Sequence, residues 1–170
     1  MEDSLKLEFR KATAADLEAV YQVYTGAIAK MDNSGIPQWD EMYPDREILS
    51  EDISKNQLTV GTADGKIVCV YVINSEYEEE YVNGAWQYPD SNFRVVHRLC
   101  VSAELQNRGV GRAVAMHIWG ELKAEGVETI RLDAFTLNPS ALKLYEDLGC
   151  VRVGYADWRK GRFVLMEKKL

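Results

Sequence analysis

Residues 106–113 read QNRGVGRA, setting Gly109 and Gly111 two apart between Arg108 and Arg112. Glycines lack Cβ atoms, so successive backbone N–H groups can close on the oxygens of an anion, and the positive end of a following helix favours the same charge. That is the chemistry of a phosphate cradle. A dinucleotide site is the first alternative, because Asp133 falls near the end of the next strand, where a ribose-binding acid belongs. Two observations count against it: the third glycine of such a loop falls on Val114, and seven residues, SAELQNR, separate the preceding strand from Gly109. No Gly-Lys-Ser/Thr follows, so a P-loop is absent as well.

The wider context narrows the reading. LCVSAELQNRGVGRAV, residues 99–114, resembles the Q/R-x-x-G-x-G/A acetyl-CoA motif of the GNAT superfamily of N-acyltransferases, and NPSALKLYEDLGC, residues 138–150, resembles its later N…LY-x-x-x-GF segment. The order of elements is similar too, and Cys150 stands where the family usually has an aromatic residue. The resemblance implies an α/β fold: a mixed, mostly antiparallel central sheet with helices on both faces and a splayed parallel strand pair. It implies acetyl-CoA as co-substrate, held at its pyrophosphate by the loop of Asn107, Arg108, Gly109, Val110, Gly111 and Arg112. The strand Leu99, Cys100, Val101 would receive the pantetheine arm, chiefly through the backbones of Leu99 and Val101. Asn138 would hydrogen-bond the cofactor near its sulfur, and Gln106 would brace the loop. The reaction implied is direct acetyl transfer to a primary amine of a small molecule or peptide.

That chemistry needs a neutral amine, a donor to the developing oxyanion and a proton for the leaving thiolate. An alkylamine with a pKa of about 10.4 is mostly protonated at pH 7, and exposing its lone pair costs roughly 4–5 kcal/mol. His97 is the candidate base, because strict strand alternation sets it on one side with Leu99 and Val101 and turns Arg98 and Cys100 to the other. A structural role under the site is the competing reading, and Asp133 could orient it, cap a strand end or pair with Arg131. The same parity argues against Cys100 as an acyl carrier. Tyr145, at the family's tyrosine position seven residues after Asn138, is the candidate general acid; helical period alone would class it as core beside Leu142 and Leu148.

The acceptor is expected between SGIPQWDEMY, residues 34–43, and DWRKGR, residues 157–162, with Trp39, Tyr43, Trp86 and Trp158 as candidate walls. The acidic stretch SEYEEEYVNGAWQYPD, residues 75–90, is either a solvated loop or a rim that attracts cations. Two other functions suit the same fold: a non-catalytic acyl-CoA-binding sensor, or a partner-binding module whose acidic loop docks a basic protein.

The elements that must position these residues are legible by period and punctuation. LKLEFRKA alternates as a strand; Thr13 offers an N-cap to a helix with Leu17, Val20, Tyr24 and Ala27 on one face, and a second helix runs from about Asp45 to Lys55. Asp64-Gly65 predicts a hairpin between two β-rich runs. FRVVHRLCV is a strand, Val110, Val114, Ile118 and Leu122 mark a helix stopped by Gly126, and TIRLDAFT is the next strand. Asn138, Pro139 and Gly149 punctuate a short helix, and two final β-rich runs follow. The 170 residues suit one domain, 1–170.

Composition bounds the rest. Net charge is −7, which argues against nucleic acid as a partner. No run is long enough to span a membrane and MEDSLKLEFRK lacks a signal-peptide core, so a cytoplasmic protein is expected, with a homodimer as a candidate assembly. Cys69, Cys100 and Cys150 lie apart in apolar runs and read as reduced core residues, and no metal site is expected.

Overall fold

The computed structural model describes residues 5–170; the first four residues of MEDSLKLEFRK lie outside the described residues. The chain folds as β1 (Glu8–Lys11), α1 (Leu17–Asn33), α2 (Arg46–Ser54), β2 (Leu58–Ala63), β3 (Lys66–Asn74), β4 (Phe93–Val101), α3 (Val110–Ala124), β5 (Thr129–Phe135), α4 (Pro139–Asp147), β6 (Val151–Trp158) and β7 (Gly161–Lys169). The strands form one seven-stranded sheet in the order β1-β2-β3-β4-β5-β7-β6. Every pairing is antiparallel except β4 with β5.

Local signals account for most of these elements. The β2–β3 turn takes Asp64 and Gly65 at φ 52° and 77°, the left-handed pair that a two-residue hairpin demands. Asp16 accepts from the Thr13 N–H at 2.7 Å, closing a short 3₁₀ turn ahead of α1, which buries Val20, Val23, Tyr24 and Ala27. In α3 the apolar period Val110, Val114, Ile118, Leu122 is fully buried, and each such aliphatic side chain contributes about 1.5–3 kcal/mol. Asn138 caps α4 by accepting from the Ala141 N–H at 3.2 Å.

The two faces of the sheet carry separate cores. α3 and α4 cover Cys69, Tyr71, Val96, Ile130, Leu132 and Ala134 on one face, while α1 covers Val60, Val70, Val72 and Cys100 on the other. Beyond α1 and α2 the second face is covered by residues 75–92, whose Tyr81 packs on Val95, Ala156 and Leu165. Buried Glu167 ties that segment down by accepting the N–H groups of Gln87 and Tyr88 at 2.7 and 3.3 Å. No helix among the described residues is long and apolar enough to cross a membrane.

One irregularity departs from the alternation expected of β4. Val70 pairs with Cys100 but Val72 pairs with His97, so β4 carries one extra residue, with Arg98 at φ 52°. The bulge resets the faces: His97 and Cys100 both lie opposite the α1-side residues Val70 and Val72, while Leu99 and Val101 pack with Val96 against the α3 core. The parity that grouped His97 with Leu99 and Val101 therefore does not hold.

Candidate active site

β4 and β5 pair only at Phe93–Thr129, Arg94–Ile130 and Val95–Arg131, then diverge. A cleft of about 1110 Å³ opens in the fork, lined by β4, β5, α4, the α3 N-terminus and the α1–α2 segment. In an antiparallel ladder, residues alternate between turning both backbone groups to one neighbour and to the other. Ser102 donates its N–H to the Val68 carbonyl at 2.8 Å, so Cys100, two residues earlier, is committed to β3 and Val101 and Leu99 face the fork. Among the three strand residues expected to meet the pantetheine arm, Cys100 thus has no free backbone to offer. Its thiol is buried towards α1, 3.9 Å from the Val23 carbonyl, and burial pushes its pKa well up. Burial, rather than parity, is what disfavours thiolate chemistry there.

The glycine loop closes the same end. Gly109 sits at φ 78°, immediately before α3, and a Cβ there would meet no protein atom within 4 Å. A Cβ on Gly111 would lie 3.6 Å from Leu144, an ordinary contact. Packing within the protein therefore does not demand bare glycine at Gly111, and at Gly109 only the backbone conformation does. The open space suits a ligand drawn close to the first amides of α3. Arg112 lines the cleft, whereas Arg108 is exposed outside its wall and Val110 is buried in the core beneath. Gln106 donates to the Val101 carbonyl at 3.0 Å, bracing the loop against β4. These features fit the acyl-CoA implied by the sequence: exposed strand backbone for an amide-bearing arm, and helix-end amides with Arg112 for its phosphates.

Three groups able to move protons line the cleft. Asp133 of β5 accepts from the Tyr81 hydroxyl at 2.6 Å, and not from His97 or Arg131. Burial pushes its carboxyl up to about 6, with the Tyr81 hydrogen bond and the Arg98 charge pulling the other way. Tyr145 of α4 is half-buried, and burial, with smaller contributions from Cys150 and Asp133, raises its phenol well above the ordinary value. His97 makes two contacts through one nitrogen, Nε2, to Asn74 Oδ1 at 2.7 Å and the Glu76 carbonyl at 3.0 Å. Asn74 Oδ1 also accepts from the Glu76 N–H at 2.9 Å, which fixes the amide and makes His97 Nε2 the protonated donor. Burial, and then the Arg98 charge, push its pKa down to about 4.

The part of the cleft beside α1 and α2, where the sequence places the acceptor, is built around Arg98. Its guanidinium holds Asp52 of α2 in a bidentate pair, with contacts from 2.7 to 3.1 Å, and donates to the Tyr43 hydroxyl at 2.8 Å. Tyr24 donates to the Arg98 carbonyl at 2.6 Å. A non-glycine residue at positive φ costs on the order of 1–3 kcal/mol, and these contacts hold it in place. Removing one partner of so buried a pair would strand a charge at a cost of about 3–5 kcal/mol, so the bulge is rigid. Trp39, Tyr43 and Trp158 line the cleft as expected of acceptor walls. Trp86 does not: within the 75–92 segment it stacks on Arg131 at 4.5 Å and donates its indole N–H to the Tyr81 carbonyl at 2.7 Å. Of the acidic stretch, Glu76 and Glu78 line the cleft and Glu79 and Glu80 do not. Asn138, besides capping α4, donates to Gln38 Oε1 at 3.0 Å, reaching across to the α1–α2 segment.

A β4–β5 pair that forks over a cleft, with a glycine turn at the start of α3 beside it, suits a protein that uses an acyl-CoA. The profile of the Acetyltransferase (GNAT) family matches residues 26–150. The chain belongs to that family, whose acyl donor is acetyl-CoA. A GNAT-family acetyltransferase from Streptococcus agalactiae superposes with a TM-score of 0.84 at 20% identity, covering 98% of this chain and 99% of that one. PaiA N-acetyltransferase from Thermoplasma acidophilum, crystallised with coenzyme A, superposes at 0.71 with 19% identity, covering 98% and 100%. The [ribosomal protein bS18]-alanine N-acetyltransferase of Escherichia coli is 39% identical over 68 residues, 38% of this chain and 46% of that protein. The alignment thus spans less than half the length of the curated relatives it matches.

Asp52 and Tyr81 carry no signal in the sequence as site residues. Their partners, Arg98 and Asp133, lie 46 and 52 residues away. Asp133 itself is visible as a lone carboxylate within an apolar strand, the one clue that could have promoted it.

Proposed function

We propose that the protein transfers the acetyl group of acetyl-CoA to a primary amine, with Asp133 accepting the amine proton and Tyr145 donating to the leaving sulfur. The observation that carries this reading is the convergence, in one cleft, of open β4 backbone, the Gly109 cradle and two proton-transfer groups of opposite character. Bound acetyl-CoA supplies an activated thioester. The chain's own residues supply the rest.

Asp133 with a pKa of about 6 is largely ionised at pH 7 and is a stronger base than a carboxylate at its ordinary 3.8. His97, at about 4, is neutral there and its Nε2 is committed to Asn74 and Glu76, so it serves the site as a wall and a brace. Magnitude decides between them: an amine near pKa 10.4 loses its proton more readily to the base whose pKa lies closer. Tyr145, with its phenol pKa raised, stays protonated through the neutral range and can hydrogen-bond negative charge developing on sulfur. Fork-facing N–H groups near Leu99 and Val101 are the donors to the developing oxyanion. Tyr81 holds the Asp133 carboxylate in place, and the aromatic walls Trp39, Tyr43 and Trp158 keep the amine out of bulk water.

The test is release of CoA thiol from acetyl-CoA on adding amines from a panel of polyamines, amino acids, aminoglycosides and peptide N-termini. Amine-dependent thiol release with equimolar acetylated amine is the expected result. Tight CoA binding without turnover across the panel would make the protein an acyl-CoA sensor.

A further inference from the structure

The sequence leaves a gap for the acceptor between residues 34–43 and the β6–β7 tip, and in the fold these two segments meet. Arg159 at the tip holds Asp40 with two parallel contacts, 2.8 and 2.9 Å, and Lys160 stands 3.4 Å from the same carboxylate. Asp40 is itself fixed in a tight turn: it exchanges backbone hydrogen bonds of 3.1 Å with Tyr43 and accepts from the Met42 N–H at 3.0 Å. On either side the segment is tethered again, Gln38 to Asn138 of α4 at 3.0 Å and Tyr43 to Arg98 of β4 at 2.8 Å. Trp39 between them is buried against Tyr24, ring centroids 5.5 Å apart. Gln38, Trp39, Tyr43, Arg159 and Lys160 all line the cleft.

We propose that the Asp40–Arg159 pair is a latch over the acceptor half of the cleft, which favours a compact primary amine over an extended polypeptide as the acceptor. The inference rests on the amine-acceptor reading above. A chain laid through a groove in extended form needs about 5 Å to its nearest backbone neighbour. Side-chain contacts of 2.8 and 2.9 Å join the cleft-lining Arg159 to Asp40 and leave no such opening between these two segments. The planar guanidinium meets both carboxylate oxygens, a geometry that fixes direction as well as charge. Arg159 is half exposed, so the pair holds modestly and can open, as a specificity element must if product is to leave. With Arg98 bound to Asp52, and Arg159 to Asp40, the wall is assembled from tethers 46 and 119 residues apart.

The experiment compares binding of two CoA conjugates by calorimetry, so it does not depend on turnover. One carries alaninamide and the other an alanine-initiated decapeptide, each joined through its amine as an amide of S-carboxymethyl-CoA, so that a stable thioether links the acyl group to the CoA sulfur. The wild type should bind the peptide conjugate about five- to tenfold more weakly, the cost of opening one partly exposed ion pair and one hydrogen bond. Asp40→Asn and Arg159→Gln should each narrow that gap to about twofold, and the charge-swapped double variant, Asp40→Arg with Arg159→Asp, should widen it again. Equal binding of both conjugates by the wild type overturns the latch, as does a gap that the single variants leave unchanged. Turnover across the amine panel is measured alongside: discrimination between conjugates with no turnover of any panel amine would retain the latch and refute the transferase reading.

Discussion

Replacing Asp133 with asparagine keeps the shape of the side chain and its acceptor for the Tyr81 hydroxyl, and removes only the ionisable group. The folded protein holds that carboxyl at about 6 against an ordinary 3.8. An acid whose folded pKa is raised binds more protons in the native state than in the unfolded one between those two values, so stability falls as pH rises through that window. The full cost, reached above about pH 6, is about 3 kcal/mol at 1.36 kcal/mol per pH unit, and solvation from the cleft reduces it to about 2. Asp133→Asn should therefore raise Tm at about pH 7.5 by about 4–8 °C for a chain of this size, and by a small fraction of that at about pH 4. The same variant should lose about 10²- to 10⁴-fold in kcat if the carboxylate is the general base. Thermal unfolding of both proteins without CoA at the two pH values is the assay. A variant that is no more stable at the higher pH, or equally stabilised at both, would refute the argument that Asp133 is held ionised against its burial.

Tyr81→Phe removes the 2.6 Å hydrogen bond that lowers Asp133, so the acidic limb of kcat/KM should move up from about 6 by about one to two pH units; an unmoved limb would take Asp133 out of the pH profile. His97→Gln should leave that limb near 6, because His97 titrates near 4; loss of the limb would return the base to His97. Tyr145→Phe should leave the Kd for CoA within about twofold and lower kcat about 10²-fold, and a wild-type kcat would show that Tyr145 gives the leaving sulfur no hydrogen bond that matters. Gly109→Val places a β-branched residue at φ 78° and a side chain in the space before α3, so CoA affinity measured calorimetrically should fall at least about tenfold; unchanged affinity would remove the loop from the phosphate site.

The sequence by itself determined what depends on neighbours along the chain. Asp64-Gly65 dictates the β2–β3 hairpin because only residues tolerant of positive φ close it, and the 3.6-residue period of Val110, Val114, Ile118 and Leu122 dictates the buried face of α3. Asn138 and Pro139 start α4 through a cap made within three residues, and the glycines of QNRGVGRA mark the turn into α3, with Gly109 at φ 78°. Tertiary structure alone decided the rest. Strand period places His97 beside Leu99, but the extra residue at Arg98 reverses that, and what holds the bulge is Asp52, 46 residues earlier in another element. The Asp133 carboxyl is carried up to about 6 by burial, against the opposing pull of Tyr81 and Arg98, and all three are set by distant parts of the chain. Trp86 and Trp158 look alike as candidate walls, and only the folding of residues 75–92 over the sheet turns Trp86 onto Arg131 and leaves Trp158 lining the cleft. Asp40 and Arg159 carry no mutual signal at a separation of 119 residues. Periodicity and capping report on backbone a few residues away, whereas a carboxylate's pKa, a strand bulge and an ion pair across a cleft are set by groups that only the completed sheet brings within a few ångströms.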